Sequence, residues 1–219
     1  MPREFLLLQG TGCRWHKCRF CDYYDDVSDI AYELNCNTLQ QVTGKYGVLD
    51  IINSGSCVEL DSQTMERIKS VVKEKKIHTL WFESHYMYRN QLADFAKQFE
   101  NVNVKFRCGI ESFDAETRRK WNKGVPDYVS PTDVANYFAG VCLLCCVEGD
   151  TPQRILHDIE IAKKHFEYFS INLFCNNSTS VRRDEKLAKW FETEVMPSLA
   201  DDNRIEVLLN NTDLGVGNV

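Results

Sequence analysis

The feature that most constrains this chain is a regular alternation of short apolar runs with amphipathic helical stretches. The runs EFLLLQ, GVLDIINS, HTLWFES, VNVKFRCGIE, GVCLLCCV, FSINLFC and RIEVLLN have the length and residue content of strands. Between them lie DSQTMERIKSVVKEKK, NQLADFAKQFE, DAETRRKWN, TPQRILHDIEIAKKHF and DEKLAKWFETEVM, with a further helix expected at about 28–45. Strands joined through helices at this pitch run parallel, with right-handed crossovers. Six such units predict an incomplete α/β barrel or an open doubly wound sheet. In either, the functional face lies where the C-terminal ends of the strands emerge. One domain is expected over 1–219, with core strands and helices at 4–176 and a C-terminal helix and strand at 183–210.

The first run leads directly into GTGCRWHKCRFCDYY at 10–24, whose loop at 10–22 carries Cys13, Cys18 and Cys21 on that face. The chain has ten cysteines, but Cys142, Cys145 and Cys146 lie inside an apolar run and read as small hydrophobes, not as a disulfide framework. A closed zinc site needs four ligands, usually in two pairs. No second C-x2-C follows, and His16 is the fourth ligand that the loop itself offers. Three thiolates around a [4Fe–4S] cluster instead leave one iron without a protein ligand, open to a substrate or cofactor.

The formal net charge of −6 argues against a nucleic-acid surface, because binding a phosphate backbone needs a basic stripe. Basic residues gather only in short clusters, RRK at 118–120 and VKEKK at 72–76. No apolar run is long enough to span a bilayer, and the start of the chain lacks a signal-peptide cleavage pattern. A cytoplasmic protein acting on a small molecule, with no nucleic-acid or membrane partner, is expected.

The cysteine loop resembles that of the radical S-adenosylmethionine (SAM) superfamily, whose usual motif is C-x3-C-x2-C; here the first gap is four residues. FRCGIESFDAETRRKWNKG at 106–124 resembles the fourth-strand segment of coproporphyrinogen-oxidase-like and Elongator-like members. VCLLCCVEGDTPQRILHDIEIAKKH and SINLFCNN look like their fifth and sixth strands. The resemblance covers about residues 4–176 and implies a partial (β/α)6 TIM-like barrel of parallel strands.

The resemblance also implies a set of roles. Cys13, Cys18 and Cys21 hold a [4Fe–4S] cluster, and Phe20 lies near adenine. Ser54, Gly55 and Ser56 stand where relatives place Gly-Gly-Glu against the methionyl amino group, and only Gly55 matches. Glu111 binds ribose, and Lys123 binds the methionyl carboxylate, with Arg118 and Arg119 as competitors. Asn172 joins the cofactor residues. The bland alternatives are a plain turn at Gly55, a solvated helix end at Lys123 and a surface carboxylate at Glu111. The chemistry implied is reductive cleavage of SAM to a 5′-deoxyadenosyl radical, which abstracts hydrogen from the substrate. A donor such as flavodoxin or ferredoxin supplies the electron.

Side chains two apart on a strand share a face. In TLWFESH, Leu80 and Phe82 suit a helix-covered outside, leaving Trp81, Glu83 and His85 inward. In VKFRCGIE, Phe106 and Cys108 suit the outside, leaving Lys105, Arg107 and Glu111 inward. Asp50 and Asn172 fall inward on their own strands. Buried charges need partners, so these residues form either an internal Asp/Glu–Arg network or the lining of a polar ligand site. A carboxylate facing a ring N–H and an exocyclic amine holds a guanine-like base. In compactness, loop and acidic lumen the chain looks like the small queuine lyases of bacterial queuosine salvage, which release 7-aminomethyl-7-deazaguanine from queuine. That resemblance implies that Asp50 and Glu83 grip the deazaguanine edge, while His85 and Arg107 engage the amine or the cyclopentenediol. A 7-carboxy-7-deazaguanine synthase-like enzyme, a glycyl-radical activase and a zinc-stapled α/β binding module remain the alternatives.

Overall fold

The computed structural model describes residues 1–210; the last nine residues of the domain expected over 1–219 lie outside the described residues. All seven expected strands form, and they follow one another in sheet order from the first to the seventh. The fold is α/β, of the partial TIM-like barrel class. The described residues group into two compact units, which are taken in turn.

The first unit comprises Met1–His16 and Asp22–Arg107. It contains β1 (Glu4–Leu8), α1 (Ala31–Gln40), β2 (Val48–Asn53), α2 (Ser62–Glu74), β3 (Thr79–Ser84), α3 (Leu92–Ala96) and the first half of β4 (Asn103–Glu111). β1 pairs parallel with β2, and β2 with β3, in a register that sets Phe5 beside Asp50 and Asp50 beside Trp81. Asp61 caps α2 by accepting from the Thr64 amide, and Met65, Ile68, Val71 and Val72 form its buried stripe. Phe82 packs edge-on against Phe95 of α3 at 5.1 Å, and Phe106 meets the same ring at 6.0 Å. This is the helix-covered face expected from strand alternation.

Two helices are shorter than expected. The stretch at 28–45 is helical only over α1, because the Glu4 carboxylate draws the Thr43 and Gly44 amides out of the helix. The segment before α3 is a 3-10 helix, Tyr86–Gln91, capped by His85.

The second unit comprises Lys17–Cys21 and the described residues from Cys108 on. It contains the end of β4, α4 (Ala115–Lys120), α5 (Pro131–Ala135), β5 (Gly140–Cys145), α6 (Pro152–His165), β6 (Tyr168–Leu173), α7 (Glu185–Trp190) and β7 (Ile205–Leu208). β5, β6 and β7 pair parallel. Every residue of β5 is buried, as in a strand covered on both faces. Cys142 and Cys145 are among them, so these thiols are core, as expected.

α5 was not foreseen, although Ser130, Pro131 and Asp133 form a capping box with Pro at its start. The stretch DEKLAKWFETEVM begins as α7 and continues as a π turn over Phe191–Val195. Among the described residues no helix is long and apolar enough to cross a membrane.

Candidate active site

In the first unit, the segment after β2 stitches three strand ends together. The Ser54 hydroxyl accepts from the Gly10 amide at 2.8 Å, which ties it to the exit of β1. The Ser56 hydroxyl accepts from the His85 amide at 2.9 Å, which ties it to the exit of β3. Both hydroxyls, expected beside the cofactor, are thus engaged with main chain. A Cβ at Gly55 would lie 2.5 Å from Glu59 Oε2 and 3.0 Å from the Gly12 carbonyl. Position 55 therefore requires glycine for close approach, not merely for a turn. The buried Asn53 Oδ1 has no hydrogen-bond partner, which leaves an acceptor for a ligand at the end of β2.

Glu59 lies three residues beyond the position where relatives carry an acid, and sequence reasoning missed it. Its carboxylate accepts from the amides of Arg14 (2.8 Å) and Ser56 (2.5 Å) and from the Tyr88 hydroxyl (2.7 Å). Burial and the neighbouring Glu59 carboxylate push the Tyr88 phenol up.

The charged residues expected inside form a chain of ion pairs in this unit. Arg107 donates two hydrogen bonds to Asp50, at 3.0 and 2.8 Å, and Arg3 donates a third at 2.8 Å. The Asp50 side chain is fully buried, so its charge is matched by two guanidinium groups rather than by water. Asp50 is thus joined to Arg3 and Arg107 in an Asp–Arg network, one of the two readings open for it. Glu83 stands 3.6 Å from the Arg107 Nε, and its side chain retains 31% exposure against 0% for Asp50. Lys105 lies over the Trp81 ring at 5.4 Å, on the same side. Arg3, ahead of β1, was the member sequence reasoning did not find.

His85 is buried, and its Nδ1 accepts from the Met87 amide at 3.1 Å. That bond assigns the proton of the neutral ring to Nε2. Trp15, from the cysteine loop, stacks on the imidazole with centroids 5.7 Å apart and planes 22° apart. Within the long first gap, His16 adopts a left-handed φ of 32° and donates its amide to Cys13 Sγ at 3.5 Å.

In the second unit, Cys18 and Cys21 pack against Phe20, Trp121, Leu144, Val147 and Phe174. Main-chain and side-chain bonds fix this limb: the Arg19 amide donates to the Trp121 carbonyl at 2.9 Å, and Asn122 Nδ2 donates to the Lys17 carbonyl at 3.0 Å. Asn177 Nδ2 donates to the Phe20 carbonyl at 2.7 Å. The Asn-Lys-Gly turn picked out in the sequence thus supports the loop directly.

Lys123 is buried and pairs with Glu111 at 2.8 Å. Burial opposes its charge, but Glu111 and the Cys18 sulfur outweigh that and leave its ammonium held more firmly than usual. Glu111 has φ of 65°, a costly conformation for a non-glycine residue and one that clusters at functional sites. Arg118 donates to the carbonyls of Ser112, Phe113 and Pro126, and exposed Arg119 pairs with Asp127. Both competitors are therefore spoken for. The Asn172 Oδ1 is a buried acceptor without a partner.

Cys13, Cys18 and Cys21 are half-buried, and none of them forms a disulfide. Among the described residues no three His, Cys, Asp or Glu side chains gather as ligands of a single ion do. Soft sulfur donors of this kind suit the irons of a cluster. In the first unit the unpartnered Asn53 acceptor, and in the second the Asn172 acceptor and the Glu111–Lys123 pair, each suit a polar group of a zwitterionic cofactor.

No family profile matches the chain, and no curated protein matches it. Among solved structures it matches a queuine lyase from Clostridium spiroforme, bound to SAM and queuine, with a TM-score of 0.92. The two share 38% sequence identity over 99% of this chain and 94% of that one. Identity at this level over nearly the whole of both chains shows common membership: the chain belongs to the radical SAM queuine lyase family.

Proposed function

We propose that this chain is a queuine lyase, breaking the C–N bond of queuine to release 7-aminomethyl-7-deazaguanine. The observation that carries the proposal is the match over 99% of the chain to an enzyme bound to SAM and queuine. When bound, a [4Fe–4S] cluster would supply the electron for reductive cleavage of SAM, and with it the means to abstract hydrogen from the substrate.

The chain's own residues bind and orient. Cys13, Cys18 and Cys21 hold the cluster. Lys123 meets the methionyl carboxylate and Glu111 the ribose hydroxyls, with Phe20 beside adenine. Gly55, the carbonyls of Ser54 and Ser56, and the spare acceptors of Asn53 and Asn172 take the remaining polar groups. Glu83 is the partly exposed carboxylate of the ion-pair chain, which supports it as the group facing the deazaguanine edge. Asp50 holds Arg107 in place rather than meeting the base itself. His85 offers the Nε2 proton to the substrate, not a basic nitrogen. A flavodoxin or ferredoxin is the expected electron donor.

Anaerobic reconstitution followed by incubation with SAM, dithionite and queuine tests the proposal. Mass spectrometry is expected to find the aminomethyl base; intact queuine alongside 5′-deoxyadenosine would leave a radical SAM enzyme of other specificity. Stoichiometric zinc without 5′-deoxyadenosine would overturn the whole reading.

A further inference from the structure

We propose that Glu59 is a positioning residue that fixes the Cys13 limb of the cysteine loop, and through it the cluster. The inference rests on reading that loop as the cluster site. Glu59 ends the single turn Cys57–Glu59 after β2. Its carbonyl accepts from the Thr11 hydroxyl at 2.8 Å, and its carboxylate accepts from the Arg14 amide at 2.8 Å. Thr11 and Arg14 lie on either side of Cys13, so one residue grips the ligand's chain from both ends. The direction of the Arg14 N–H sets the plane of the peptide that joins it to Cys13, and hence where the thiol points.

The grip is itself supported from three sides. The Tyr88 hydroxyl donates to the same oxygen that Arg14 uses, and the Ser56 amide donates to the other. Gly55 leaves the space the carboxylate occupies, since a Cβ there would lie 2.5 Å from it. A carboxylate satisfied by three donors cannot turn to a ligand without abandoning them. Glu59 therefore serves the loop. That separates it from the acid of the Gly-Gly-Glu motif, whose partner is the cofactor.

The experiment compares anaerobically reconstituted wild type with the variants Glu59→Ala, Glu59→Gln and Tyr88→Phe. It follows iron release to a chelator and the electron paramagnetic resonance spectrum of the reduced cluster with and without SAM. Glu59→Ala is expected to hold the cluster about 10–100-fold less tightly, the usual effect of losing an outer-shell partner of a metal site. Glu59→Gln keeps one acceptor oxygen and recovers part of the loss. Tyr88→Phe removes a single hydroxyl, shows a smaller loss, and carries the test if the alanine variant does not fold.

Asp61→Ala provides the control, since it removes the cap of α2, in the adjoining turn, without a bond to the cysteine loop. It is expected to lower the melting temperature while leaving iron release unchanged. Unaltered iron release and spectra in Glu59→Ala and Tyr88→Phe, or equal iron loss in Asp61→Ala, would overturn the inference while the cluster reading stands. A wild type that binds no cluster would overturn both.

Discussion

Asp50→Asn tests the view that this residue is an internal strut. In the structure the carboxylate is wholly buried and accepts three hydrogen bonds from two arginines. Asparagine keeps the shape but removes the charge, and turns an NH2 group towards guanidinium donors that need an acceptor. Leaving a buried charge without its partner costs about 3–5 kcal/mol. At ~2–4 °C per kcal/mol for a chain of this length, the melting temperature should fall by roughly 6–20 °C. Differential scanning calorimetry of the metal-free chain reads this directly, and removing the metal separates the effect from cluster loss. Queuine kinetics on the reconstituted variant then show whether the surviving folded fraction still binds substrate. A shift below about 2 °C together with a large rise in the queuine KM would refute the strut and return Asp50 to the base-binding role expected at first.

Three further outcomes follow from the same geometry. Lys123→Met strands the Glu111 carboxylate in a buried site and should cost about 3–5 kcal/mol by urea denaturation. Adding Glu111→Gln should restore much of that stability without restoring SAM affinity, and recovery of both would make the pair purely structural. Trp15→Ala removes the stack on His85, an interaction of about 0.5–1.5 kcal/mol. Steady-state kinetics should show the queuine KM rising by about 2–10-fold at nearly constant kcat; an unchanged KM would deny Trp15 this role. Asp114 caps α4 by accepting from the Thr117 amide at 2.7 Å. Burial raises its pKa, but the Thr117 bonds and nearby arginines outweigh that and hold it below the ordinary value. The stabilisation is therefore present above about pH 4 and is lost as pH falls through the depressed folded-state value. Asp114→Ala should cost about 1 kcal/mol at pH 7, and stability curves of variant and parent should converge in acid.

Much of this arrangement was legible because a strand turns a sequence of two-residue steps into two faces. That rule placed Phe82 and Phe106 on the helix side, where both meet Phe95. It also put Asp50, Trp81, Glu83, Lys105 and Arg107 on the other side, where the ion pairs and the Lys105–Trp81 contact are found. Which charges would neutralise each other was not legible, since that depends on register and depth rather than on facing. Arg3 escaped notice because it lies ahead of its strand, where alternation carries little information. Glu59 escaped because a motif reading looks for the acid directly after Gly55, whereas this acid ends the single turn that follows. The capping box of α5 was present in the sequence as SPTD, too short a signal to stand out without its neighbours. Similarly, the left-handed His16 and the stack of Trp15 on His85 within the long first gap are seen only in three dimensions.

The most direct test of the account counts two products in one anaerobic reaction. With reconstituted enzyme, SAM and reductant, 5′-deoxyadenosine and 7-aminomethyl-7-deazaguanine should accumulate together once queuine is added. Both should disappear when Cys18 and Cys21 are changed to alanine. Formation of 5′-deoxyadenosine with queuine recovered intact, or release of the aminomethyl base without SAM, would contradict it.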